Sequence, residues 1–148
     1  MNILQQKRRI HENLCDNRKF PEFESIEGGE LDEILANLSE AFGLDPEELF
    51  LSLRSKRSKV DSLGIIEEHE FSLINFLTKN MIKIPHKKIF LNYGMGELFN
   101  LNVVDLENCF DCIYFPSADD IDIFDASWGW IVNIDSVSYT HLTLPTKA

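Results

Sequence analysis

At Pro85 the hydrophobic period of the chain changes, and that change limits the folds open to it. Before it, apolar residues recur at helical spacing. Leu31, Ile34, Leu35, Leu38 and Phe42 form an i, i+3, i+4, i+7, i+11 stripe, and Gly43 follows in the position of a C-terminal cap. In Asp45-Pro46-Glu47-Glu48, Asp45 suits an N-cap, Pro46 the first helical position and Glu48 the return bond of a capping box. Leu49, Phe50 and Leu53 supply the apolar face of that helix. Ile3, Leu4, Ile10 and Leu14 predict an amphipathic helix over 3–15, and Phe71, Ile74, Leu77 and Met81 predict another over 67–80. Phe20-Pro21-Glu22-Phe23 and Gly28-Gly29 are breaks, with a loop or a short extended piece between them.

After Pro85 the pattern is that of strands. Strands are expected over 88–93, 97–103, 112–115, 120–124 and 130–134. Gly94-Met95-Gly96 forms the first turn, a short helix over 105–110 precedes the third strand, and 125–129 joins the last two. The expected class is α+β: N-terminal helices packed on a C-terminal, mostly antiparallel β-meander, in one domain over 1–135. The 148 residues suffice for a core without disulfides or metals.

The tail has a different character. Val137-Ser138-Tyr139-Thr140-His141-Leu142-Thr143-Leu144-Pro145-Thr146 resembles, residue for residue, the translation of a transposon-end sequencing adapter, GTC TCT TAT ACA CAT CTG ACG CTG CCG ACG. Residues 136–148 are therefore set aside as a tail of adapter origin, and His141 with them as a functional residue. The natural chain is expected to be interrupted near Asp135, within its sheet.

Charge narrows the function classes. The net charge is −11, and from Ile89 to Thr146 there is no Lys or Arg. That span holds Glu97, Asp105, Glu107, Asp111, Asp119, Asp120, Asp122, Asp125 and Asp135. An acidic half repels phosphate backbones, so nucleic acid is not an expected partner, whereas its field would steer a basic protein. Arg54-Ser55-Lys56-Arg57-Ser58-Lys59 is basic and is expected to be a solvated helix end or loop. No apolar run approaches the roughly 20 residues of a membrane span. The N-terminal charges follow a very short apolar piece, the reverse of a secretory signal, and a cytoplasmic protein is expected.

Cys109-Phe110-Asp111-Cys112 has CxxC spacing, but it is expected to enter a strand rather than open a helix, the wrong polarity for a lowered thiol pKa. Cys15, His11, His69 and His86 are scattered in sequence and suggest no second ligand pair for zinc. The thiols are expected to be buried and inert, with no metal and no cofactor.

Asp119, Asp120, Asp122 and Asp125 are the densest acid cluster. From Asp120 a calcium loop would need an oxygen ligand at its fifth position and glycine at its sixth, where this chain has Phe124 and Asp125. A metal-dependent hydrolase using these acids is the rival reading, and a structural or regulatory module a third. Strand alternation would turn Ile121 and Ile123 inward and Asp120 and Asp122 outward. Asp119, Asp120, Asp122, Asp125 and Trp128 are thus the candidate contacts for a protein partner.

The run from Ile89 to Ile134 contains Gly96-Glu97-Leu98, Tyr114-Phe115-Pro116-Ser117-Ala118-Asp119-Asp120 and Trp130-Ile131-Val132. This pattern resembles small, acidic immunity proteins of bacterial polymorphic-toxin systems. The resemblance implies a non-catalytic module that neutralises a basic toxin domain.

Overall fold

The computed structural model describes residues 1–49, 58–61, 71–83, 86–94, 97–137 and 139–145. The chain is α+β. Its helices are α1 (Ile3–Asn13), α2 (Gly28–Phe42), α3 (Leu73–Lys79), α4 (Val103–Asn108) and α5 (Phe110–Ile113), with a 3-10 turn at Pro46–Glu48. Its strands are β1 (Phe23–Ile26), β2 (Ser58–Asp61), β3 (Lys88–Gly94), β4 (Glu97–Asn102), β5 (Ile121–Phe124), β6 (Ile131–Ile134) and β7 (Thr140–Thr143). They form one sheet in the order β1-β4-β3-β5-β6-β7-β2, antiparallel at every pairing. Among the described residues no helix is long and apolar enough to cross a membrane.

Both faces of the sheet are covered. Leu91, Ile123, Val132 and Leu142 align across β3, β5, β6 and β7, and pack with Leu4 of α1, Leu77 of α3, Leu106 of α4 and Ile113 of α5. Leu98, Phe124 and Ile131 point the other way and meet Ile34, Leu38 and Phe42 of α2. The period-2 alternation of the strands therefore feeds two cores, and β5 is buried at all four of its residues.

The helix boundaries follow local chemistry. Asn2 accepts from the backbone N–H of Gln5, whose side chain returns the bond to the Asn2 N–H, a capping box for α1. Gly43 takes the left-handed conformation at φ 67° and ends α2, as its position predicted. Asp45 caps the 3-10 turn through the Glu47 N–H, with Pro46 at its first position. Phe50, Leu53, the basic residues Arg54 to Arg57, the 67–70 portion of the predicted helix, and Met95 with Gly96 lie outside the described residues.

Three expectations change and one, the short extended piece before α2, is sharpened. The predicted third strand is helix: 110–113 forms α5, because Phe110, Cys112 and Ile113 all turn into one core and the chain reaches β5 only after the 114–120 loop. The short extended piece before α2 is a full edge strand, pairing Phe23 to Ile26 with Leu101 to Leu98. Ser58 and Lys59, read as a helix end or loop, lie in β2 on the opposite edge. Finally, the segment that resembles an adapter supplies β7, with Ile134↔Thr140 to Ile131↔Thr143 in register. Ladder bonds are made by backbone, so a Thr-rich segment of any origin can complete an open sheet edge.

Candidate functional site

Strand β5 sits at the centre of the seven-stranded order, not at an edge, and this decides the fate of the acid cluster. Asp122 lies opposite Asn92 on β3 and Asn133 on β6. It accepts from Asn92 Nδ2 at 3.1 Å and from Asn133 Nδ2 at 2.9 Å. Asn133 Nδ2 also reaches Asp120 at 2.7 Å. These side chains form a polar row inside the α2 side of the sheet, where a buried carboxyl group needs hydrogen-bond partners and the two amides supply them. Asp125 is buried below the β5–β6 hairpin and accepts from the backbone N–H groups of His86 and Ser127. Asp119 is buried on the α1 side, 2.6 Å from Lys7 Nζ, and caps the Phe115 N–H at 2.7 Å.

The expectation of partner contacts at Asp119, Asp122 and Asp125, with Asp122 facing outward, is thus corrected: all three are buried, and a central strand with two covered faces gives Asp122 no solvent side. The four acids do not converge either. Asp120 and Asp122 share an amide, while Asp119 and Asp125 are held by unrelated groups. Asp120 and Trp128 keep accessible surface. Trp128, at φ 55°, stacks on Phe90 with centroids 6.0 Å apart and packs against the α2-side core. His141, set aside with the tail, is buried and 2.8 Å from Asp135. Burial pushes the Asp135 carboxyl up, but the bonds from His141, Tyr139 N–H and Val137 N–H outweigh it and its pKa is lowered.

A second constellation was not foreseen. Helix α1 does not bury the stripe its hydrophobic spacing suggested. Leu4, Lys7 and His11 face inward, while Ile10 and Leu14 are 46% and 73% exposed. Lys7 is held between Asp119 and the Phe115 ring, its Nζ 3.6 Å from the ring centroid. Desolvation lowers its pKa against the opposing pull of Asp119.

His11 bonds the Arg18 carbonyl through Nε2, which leaves Nδ1 3.2 Å from Cys112 Sγ and 3.7 Å from an Asp16 oxygen. The Arg18 guanidinium forks between Asp16 (2.9 Å) and Asp111 (2.7 and 2.8 Å). Its side-chain bonds hold Asp16 at about 2 and lower Asp111 also. Burial, reinforced by Asp111, pushes the Cys112 thiol up to about 11. At neutral pH Cys112 is a thiol donating to imidazole, not a standing nucleophile. These groups line a cleft of about 160 Å³ with Ile10, Leu14 and Phe115.

His11 and Cys112 are 101 positions apart, so no spacing motif could have joined them. Cys109, the other half of the CxxC, is the N-cap residue of α5, where a strand was expected; it bonds the Lys19 carbonyl and its thiol pKa is raised by burial.

The acids that do face solvent lie elsewhere. Of the nine named between Ile89 and Thr146, Glu97 alone is exposed. Between Lys19 and Arg54 there is no Lys or Arg, and all ten acids of that span (Glu22, Glu24, Glu27, Glu30, Asp32, Glu33, Glu40, Asp45, Glu47 and Glu48) are exposed. They occupy β1, α2 and their flanks. The absence of cations there was legible in the sequence; that these carboxylates, unlike those of the C-terminal half, point outward was not. Compared with known proteins, the chain matches no family model, no curated protein and no solved structure.

Proposed function

We propose that the chain is a non-catalytic acidic module that binds a basic protein partner, in the manner the resemblance to toxin-neutralising immunity proteins implies. The observation that carries this reading is the run of ten exposed acids from Glu22 to Glu48 without an intervening cation. Such a surface steers and holds a basic partner, while like charge rejects nucleic acid. The contact surface is accordingly placed on α2 and its flanks. Trp128, half-buried on the same side of the sheet, is the aromatic anchor. Asp119, Asp122 and Asp125 are buried and support the fold.

The test is charge reversal of Glu30, Asp32 and Glu33 to lysine, three exposed residues near the start of α2. Calorimetric binding to a basic toxin domain should weaken by about tenfold or more, with the loss shrinking as salt is raised. Circular dichroism should be unchanged, since exposed substitutions move stability by roughly 0.5 kcal/mol or less. Undiminished binding by the folded variant would remove α2 from the interface. Reversing Asp122 is not an equivalent test, because that carboxylate is internal.

A further inference from the structure

We propose that His11 Nδ1, Asp16 and Cys112 Sγ form a three-donor site for a divalent cation of the zinc class, with its fourth position open to the cleft they line. The three ligand atoms lie within 4.8 Å of one another. A tetrahedral zinc with ordinary bond lengths separates its donors by roughly 3.3–3.6 Å. The His11–Cys112 and His11–Asp16 separations, 3.2 and 3.7 Å, bracket that range.

The surroundings suit a metal ligand. The imidazole is tied through Nε2 to the Arg18 carbonyl, which fixes the proton there and aims the Nδ1 lone pair at Cys112 and Asp16. A backbone carbonyl holding the far nitrogen is the usual support of a metal-binding histidine. His11 and Cys112 are nearly excluded from solvent, while Asp16 is partly open. The mixed sulfur, nitrogen and oxygen set favours zinc over the hard cations, which take oxygen alone.

Arg18 is the built-in competitor. Its guanidinium lies 2.9 Å from Asp16 and 3.4 Å from Cys112 Sγ, on the donor side of the site. It is 43% exposed and bonded to both oxygens of Asp111. It can release Asp16 and stay docked on Asp111. When the metal enters, Cys112 gives its thiol proton to solvent. One thiolate, two carboxylates, one guanidinium and a divalent ion then sum to zero charge, where the metal-free set carries −1 from Asp16, Asp111 and Arg18.

The experiment uses the full chain with Cys15→Ser, which removes the exposed thiol. Titration with Co²⁺ should give a thiolate-to-cobalt charge-transfer band and tetrahedral visible bands, saturating at one equivalent. Cys112→Ser should abolish the charge-transfer band, and Arg18→Gln should tighten binding. Because His11 and Cys112 are buried, a second measurement leaves them intact. Zn²⁺ alone should slow alkylation of Cys112 by about tenfold or more, and leave Cys109 labelling unchanged. A missing charge-transfer band, a band that survives Cys112→Ser, or equal labelling of both cysteines with and without Zn²⁺ would overturn the site.

Discussion

Helices α1 and α2 lie against opposite faces of one sheet and resolve the same problem in opposite ways. α2 is amphipathic in the ordinary sense: Ile34, Leu38 and Phe42 enter the core, and Glu30, Asp32, Glu33 and Glu40 face water. α1 is inverted over its second half. It buries Lys7 and His11 and exposes Ile10 and Leu14. Burying a cation and an imidazole costs free energy that apolar residues would not. The α1 side meets that cost with Asp119, with the Phe115 ring and with the Cys112–Arg18 constellation. The difference teaches that α2 presents a surface whereas α1 completes an interior site. A hydrophobic stripe alone could not distinguish them.

The comparison is broken most directly at Lys7. Lys7→Met leaves the Asp119 carboxylate buried opposite an apolar side chain, and should cost about 3–5 kcal/mol in urea unfolding. Adding Asp119→Asn should recover much of that loss. A cost of about 1 kcal/mol or less is what an exposed pair gives, and would mean that α1 is not the buried-charge helix described. On the opposite face, Leu38→Ala deletes a fully buried side chain and should cost about 2–5 kcal/mol. That loss should add to the Lys7 loss, because Leu38 lies in the α2-side cluster while Lys7 is held by Asp119 and the Phe115 ring on the other face of the sheet. Strong coupling in the double variant would show that the two cores do not act independently.

The smallest expected effect is in acid. Arg18 holds Asp16 at about 2 and lowers Asp111, both below the usual carboxylate value of about 3.9. The unfolded chain therefore takes up protons first. The stabilisation is complete above about pH 4 and disappears as the pH falls towards 2. Arg18→Ala should unfold more readily than the parent at pH 5, and the gap between them should close by pH 2. These groups are partly open to solvent, so the gap is small throughout. A gap that widened on acidification would reverse the assignment.

Much of the architecture was legible in residue patterns. The Gly43 cap, the Asp45-Pro46 start and the β3–β4 hairpin all rest on interactions within a few residues, and all appear where local chemistry puts them. The Cys112 segment was misread because four apolar and aromatic residues in a row suit a buried strand as well as a buried helical turn, and only its neighbours decide. The candidate sites were less legible. The acid cluster was visible, but whether Asp122 faced water depended on β5 being central, a matter of strand order rather than of β5 itself.

The sequence by itself determined where α1, α2, β3, β4, β5 and β6 form, and that one stretch from Glu22 to Glu48 carries acids without cations, because these properties belong to neighbours in the chain. Only the tertiary structure decided that β5 is central, that α1 turns its charges inward, and that His11, Asp16 and Cys112 meet. Strand order and cross-chain proximity arise when the sheet assembles, from contacts between residues as much as 112 positions apart, and no local pattern encodes them.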